Sequence, residues 1–181
     1  MRQYKIIFSG PVGAGKTTAI KSLSDIDVVA TEARATDKVK EIKENTTVAM
    51  DYGRINLDAE TTVHLYGTPG QQRFDFMWEI LAQGALGLVL LIDCSVSSVI
   101  DDIDTYLSAF SKFAKTNSVV IGLTRSDLLT ASDHLIPWDA IYKKLEEDDL
   151  SIAIFEVDAR NKDDMNTLLE ALILSIDPLV S

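Results

Sequence analysis

Gly10-Pro11-Val12-Gly13-Ala14-Gly15-Lys16-Thr17 fits the pattern G-x-x-x-x-G-K-[ST]. Glycines let the backbone wrap a phosphate so that successive N–H groups point inward, and a helix that follows adds the positive end of its dipole. Lys16 then reaches the outer phosphates, and the Thr17 hydroxyl takes one site on a Mg²⁺ ion. The chemistry on offer is polyphosphate binding, and the motif alone leaves kinases, ATPases and GTPases open. His64 and His134 stand alone and make no metal pair. The single cysteine, Cys94, supports neither an internal disulfide nor a thiolate cluster, and reads as a small buried hydrophobe in a reducing compartment.

A phosphate cradle needs a strand to enter it and a helix to leave it. Residues 4–9 (YKIIFS) form a short apolar run ending at Gly10, and residues 16–23 follow with helical spacing. Residues 31–47 are polar with mixed charge, which predicts a long exposed loop or mobile helix of functional use. Residues 48–57 and 61–66 flank Asp58-Ala59-Glu60 and predict an antiparallel hairpin at one sheet edge. From residue 85 the pattern alternates: strand 85–93, helix 98–114, strand 118–123, helix 138–147, strand 152–157, helix 162–176. Such alternation predicts a parallel sheet with helices on both faces. The expected fold is a three-layer α/β/α domain of the P-loop NTPase kind, with a six-stranded, mostly parallel sheet and one antiparallel edge strand. Ile100, Ile103, Leu107 and Phe110 recur at helical spacing and should face that sheet. Pro137 marks a helix start, and Asp177-Pro178 stops the last helix.

The chain of 181 residues is long enough for one domain, expected to span 1–181. Its 46% hydrophobic and 25% charged content excludes disorder, collagen-like and coiled-coil architectures for the whole. Seventeen Lys and Arg stand against 28 Asp and Glu, a net charge of −11 that disfavours a grip on nucleic acid or on an anionic membrane. The longest apolar run, residues 85–92, falls short of the roughly 20 residues that span a bilayer. Met1-Arg2-Gln3-Tyr4-Lys5 enters a strand directly, Arg2 stands where myristoylation needs glycine, and Leu179-Val180-Ser181 offers no prenylation cysteine. A cytoplasmic protein without a membrane anchor is expected.

Four further motifs separate the nucleotide-binding classes. Thr68-Pro69-Gly70-Gln71-Gln72-Arg73-Phe74 resembles the switch II segment of Ras-like small GTPases, and Thr47-Val48-Ala49-Met50-Asp51-Tyr52 resembles their switch I threonine and the strand after it. Thr124-Arg125-Ser126-Asp127 stands where that family carries its guanine-reading N/T-K-x-D, and Asp158-Ala159-Arg160 where it carries S-A-K. The resemblance covers residues 4–176. Within the family, the stretch from Tyr66 to Phe74 and the lack of lipidation are most similar to bacterial and archaeal GTPases related to the polarity switch MglA. That implies a regulator of the Roadblock type, or another effector, docking on residues 31–47 and 68–84.

The resemblance also implies roles. Gly10, Gly13, Ala14, Gly15, Lys16, Thr17 and Thr18 would hold the phosphates of GTP or GDP, with Gly70 beside them. Thr17 and Thr47 would ligate Mg²⁺. Gln71 would orient the attacking water, with Lys16 and Thr47 completing the catalytic set. Asp127 would accept two hydrogen bonds from the guanine edge, because its carboxylate is acceptor-only and hostile to adenine. Arg125 would stack over the base, Ala159 would offer its N–H to the base oxygen, and Thr124, Asp158 and Arg160 complete the base-binding loops. The implied function is a slow GTP-hydrolysing switch, with a catalytically impaired nucleotide-binding scaffold as the alternative.

Three positions depart from the family pattern. Gly67 replaces the acidic residue two before Pro69, which predicts loosely held Mg²⁺ unless Asp93 or Asp51 stands in; otherwise these read as a strand-end cap and a solvated carboxylate. Arg125 replaces a lysine. Val12 replaces a glycine and would crowd the γ-phosphate. Arg34, Arg54 and Arg73 are candidates for an arginine supplied in cis, and Trp78 reads as packing.

Overall fold

Residues 87–93 (GLVLLID) are buried at every position, which a strand satisfies only when both faces of its sheet are covered. The computed structural model describes residues 2–33, 48–71, 75–129 and 135–176. Its strands are β1 (Arg2–Ser9), β2 (Val29–Ala33), β3 (Val48–Asn56), β4 (Thr61–Gly67), β5 (Gly87–Asp93), β6 (Ser118–Thr124) and β7 (Ala153–Val157). Its helices are α1 (Lys16–Leu23), α2 (Asp75–Ala82), α3 (Val99–Ala109), α4 (Ser111–Ala114), α5 (Trp138–Glu147) and α6 (Lys162–Ile176).

The sheet order is β2-β3-β4-β1-β5-β6-β7. β1 pairs parallel with β4 and β5, and the parallel ladder continues through β6 to β7. β3 is antiparallel to both of its neighbours. The P-loop NTPase-like α/β architecture is thus the expected one, with a seventh strand beyond the six read from the sequence. Residues 31–33, expected in a loop, extend β2 and pair Thr31 with Met50 and Ala33 with Val48. The antiparallel strand consequently lies one place in from the edge. The remainder of that expected loop, residues 34–47, is outside the described residues.

Side-chain alternation on the parallel strands splits the core in two. Ile6, Phe8, Leu65, Val89 and Leu91 face α1 and α6, packing with Ile20, Leu23, Leu168 and Leu172. Ile7, Leu88, Leu90 and Ile92 face the other layer with Ile103, Leu107 and Phe110, as their spacing predicted, while Ile100 is only partly buried. The helix expected over 98–114 is divided at Phe110 into α3 and α4. Helix α2 was not distinguished in the sequence pattern. It brings Trp78 into a stack with Tyr106 at 4.5 Å and Phe110 at 5.9 Å, so Trp78 is a packing residue. Pro137 caps α5, which begins at Trp138. Cys94 is buried, its Sγ 2.9 Å from the Thr124 carbonyl oxygen. Among the described residues no helix is long and apolar enough to cross a membrane.

β1 delivers the chain to Gly10, where φ is +137° and an added Cβ would lie 2.0 Å from the Leu91 carbonyl oxygen. The loop passes so close over β5 that only glycine fits, on grounds of both conformation and space. Gly10→Ala is expected to destabilise the fold by about 3 kcal/mol, from left-handed strain plus overpacking against backbone that cannot yield. A lowered denaturant midpoint, measured without nucleotide, checks this.

Candidate functional site

After Gly10 the loop turns at Gly13 (φ +86°) and Gly15 (φ +95°), and α1 starts at Lys16 with no side-chain cap and no acid in its first turn. Its leading N–H groups and the positive end of its dipole are therefore left for an anion. Lys16 is 8% exposed, and its Nζ donates to the carbonyls of Gly10 at 2.7 Å and Pro11 at 2.6 Å. Burial pulls its pKa down to about 8, with the nearby charge of Asp51 opposing the drop. A buried ammonium held by neutral carbonyls is a cation waiting for an anionic partner.

Thr17 donates its hydroxyl hydrogen to Asp51 Oδ2. Expected to be a solvated carboxylate, Asp51 is half-buried and reaches the phosphate loop from β3. Asp93 is the strand-end cap the sequence suggested, with Oδ1 accepting from the Ser95 backbone at 2.9 Å and its hydroxyl at 2.5 Å, and Oδ2 lying 3.5 Å from Arg125 Nε.

Beyond the loop lies a cavity of about 190 Å³. Ala14, Gly15 and Thr18 line the end at the phosphate loop; Thr124 ends β6 and Arg125, Asp127 and Leu128 follow it, and Asp158, Ala159 and Arg160 follow β7. All but Leu128 are residues that the motifs singled out, brought together from three distant stretches of chain. The buried Thr124 hydroxyl donates to Ala14 O at 3.0 Å, tying the β6 loop to the phosphate loop. Ala159 packs so tightly that a Cβ on Gly15 would lie 3.0 Å from its own. Arg125 is left-handed at φ +64° and stands at the start of the short 3₁₀ turn Ser126–Leu128 that carries Asp127. Arg160, expected in the base-binding loop, lines the cavity, and its guanidinium bridges Asp158 and Asp127, donating to Asp127 Oδ2 at 2.9 Å. That contact depresses the Asp158 carboxyl pKa, chiefly through its side-chain hydrogen bonds with Arg160.

Gly70 lies against the phosphate loop, since a Cβ there would come 2.6 Å from Val12 N and 2.8 Å from Lys16 Nζ. Two aromatic donors fix this stretch: Trp78 Nε1 bonds Pro69 O and Tyr106 Oη bonds Gly70 O, each at 3.0 Å. The sequence pattern points to neither anchor: Trp78 reads there as packing alone, and Tyr106 falls outside the set Ile100, Ile103, Leu107 and Phe110 whose spacing marks the face of α3 toward the sheet. Gln71 follows and is exposed. Val12, expected to crowd the γ-phosphate, is 68% exposed on the phosphate loop. Gly53, two residues on from Asp51, abuts Ile20 of α1, so strand alternation turns Arg54 to the opposite face, away from the phosphate loop. Thr47, Arg34, Arg73 and His134 lie outside the described residues.

A glycine-rich loop between β1 and α1, joined to a cavity at the carboxyl ends of β6 and β7, defines a nucleotide-binding P-loop protein. Residues 26–179 match a family described as "Conserved hypothetical ATP binding protein", and the chain belongs to that family. The match starts beyond α1, so the phosphate loop rests on its own motif and geometry. Uncharacterized protein MJ1339 of Methanocaldococcus jannaschii is 30% identical over 94 residues, which are 51% of this chain and 53% of that protein. The chain thus matches about half the length of that archaeal relative. The Ras-related protein RABD2a of Arabidopsis thaliana is 23% identical over 178 residues, 96% of this chain and 79% of the plant protein. In fold, the chain is similar to the bacterial selenocysteine-specific elongation factor EF-Sec, with a TM-score of 0.65 and 22% identity over 99% of this chain and 30% of that one.

The lowered Lys16 pKa makes phosphate binding pH-dependent. Below pH 8 the ammonium is charged and ready; above it the free protein must take up a proton before it can pair with phosphate. Nucleotide affinity should therefore hold steady up to about pH 7 and fall roughly tenfold by pH 9. Binding titrations across that range check it, and Lys16→Arg, which stays charged, should flatten the profile.

Proposed function

We propose that the chain binds GTP and hydrolyses it slowly, acting as a Mg²⁺-dependent switch read by protein partners. The observation that carries this reading is Asp127, a carboxylate on the wall of the cavity that opens from Gly15 and Thr18. A carboxylate only accepts, so it pairs with the N1–H and exocyclic amine of guanine, while adenine would set an acceptor against it. Arg160 occupies one lone-pair site on Oδ2 and leaves the other sites of the carboxylate to a base. The family description names ATP, and the base edge is what decides between the two.

The donor set suits magnesium. Thr17 gives its hydroxyl hydrogen to Asp51 and so keeps oxygen lone pairs for a hard cation. When bound there, Mg²⁺ supplies Lewis acidity toward the phosphoryl oxygens. This chain's residues do the rest. Lys16 neutralises charge on the outer phosphates, the α1 N-terminus and loop N–H groups hold them, and Gln71 orients a water toward the γ-phosphorus. The water oxygen bonds to phosphorus, the β–γ bridging bond breaks, GDP keeps the bridging oxygen, and phosphate carries off the water's oxygen. Gln71 is exposed, and a side chain in solvent must be ordered before it can orient the water, which fits slow unassisted turnover. Residues 31–47, with Thr47 as a second Mg²⁺ ligand, and residues 68–84 are the surfaces a Roadblock-type regulator or other effector would order, as in the MglA-related group. The whole of 1–181 then acts as one G domain.

Competition binding should show GTP and GDP favoured over ATP by at least tenfold, and Asp127→Asn should shift preference toward xanthine nucleotides. Equal ATP affinity would remove the guanine reading. Gln71→Leu should bind GTP normally while losing turnover on the order of 100-fold, measured as phosphate release. Turnover unaffected by Gln71→Leu would sink that mechanism, and a wild-type protein that binds GTP without hydrolysing it would be the scaffold.

A further inference from the structure

Asp51 and Gly67 are register partners on the antiparallel strands β3 and β4. A Cβ added to Gly67 would lie 3.1 Å from Asp51 Cβ, 3.2 Å from Asp51 Oδ2 and 3.1 Å from Ile20 Cδ1. The space above position 67 is thus taken by the Asp51 side chain, which crosses over the glycine to accept the Thr17 hydrogen bond. Its charge also acts on the Lys16 ammonium. Asp93, the other carboxylate on offer, is engaged by Ser95 and Arg125 instead.

We infer that Asp51 is a metal-positioning residue: β3 delivers across the hairpin the carboxylate that β4 lacks at Gly67, fixing the Thr17 hydroxyl and the hydration water of a Mg²⁺ ion beside the outer phosphates. The inference rests on the phosphate-site reading above but not on the choice of base. Mg²⁺ gives up water reluctantly, and its waters need acceptors to hold them in place. A hydroxyl ligand likewise needs an acceptor for its hydrogen so that its lone pairs can meet a cation, and Asp51 is that acceptor. On this assignment Asp51 is the stand-in for the acid missing at Gly67, and the Mg²⁺ need not be held loosely. Gly67 is the space that the crossing side chain requires, so adding an acid at 67 alone collides with Asp51 rather than strengthening the site.

The test is a Mg²⁺ titration of fluorescent GDP binding to the full chain, with an EDTA arm and a parallel series using a fluorescent ADP. Asp51→Asn should raise the Mg²⁺ concentration at half-effect about 10- to 100-fold. Affinity in EDTA should be kept or improve, because a negative charge beside the phosphates has gone. Gly67→Asp alone should not lower the Mg²⁺ midpoint, whereas Asp51→Gly combined with Gly67→Asp should bring it back to within about threefold of wild type. An unchanged midpoint in Asp51→Asn, or a parallel loss of affinity in EDTA, overturns the inference, as does wild-type binding indifferent to Mg²⁺. Should Asp51→Asn fail to fold, the double variant decides, and no recovery of Mg²⁺ dependence counts against it. A wrong base shows as tighter ADP binding, and a wrong role for Asp51 shows in the Mg²⁺ midpoint with either nucleotide.

Discussion

The phosphate loop passes over β5 with no room for a side chain: at Gly10 a methyl group would sit 2.0 Å from the Leu91 carbonyl oxygen. That contact sets the height of the loop above the sheet. From it follow the left-handed turns at Gly13 and Gly15, the entry of α1 at Lys16, and the burial that draws Lys16 down to a pKa of about 8. A looser approach would leave Lys16 solvated and its ammonium indifferent to phosphate. The close packing that fixes the fold also keeps the cation under-compensated.

Around this point the fold supplies three independent ties. Thr124 holds the β6 loop to Ala14, Tyr106 and Trp78 hold the Pro69-Gly70 backbone from the opposite layer, and Asp51 holds Thr17 from β3. Thr124 and Asp51 bond to the loop and the start of α1 directly, while the aromatic pair holds Gly70, which packs against that loop. The base-side cavity, the Gly70 segment and the hairpin are therefore each linked to the loop that meets the outer phosphates. A ligand that moves the loop by a fraction of an ångström has a route to all three. The aromatic anchors are buried, while Gln71 just beyond them is exposed.

What could be read from the sequence was what lies close together in it. The loop motif, the alternation after residue 85 and the buried run of β5 rest on neighbours a few positions apart, and they gave the architecture. β2 escaped because a short strand containing Thr31 and Glu32 looks like the polar stretch after it, and only pairing with β3 reveals it. Arg160 and Asp127 are 33 residues apart and both exposed, and no local pattern joins them. Along the chain Asp51 reads either as a stand-in for the missing acid or as a solvated carboxylate, and nothing in one dimension says which residue stands opposite Gly67.

That last pairing bears on how such chains are sorted. Positions 51 and 67 lie sixteen apart in the text of the sequence, yet in the hairpin they share one place in space. A search that scores each column along the chain records a defect at 67 and an unremarkable acid at 51, and files the protein among the degenerate members. A search that scores the two columns as one, across the ladder, finds a single carboxylate that has changed strands. Sequences that differ in this way would look like gains and losses of a catalytic motif while keeping the same charge in the same spot.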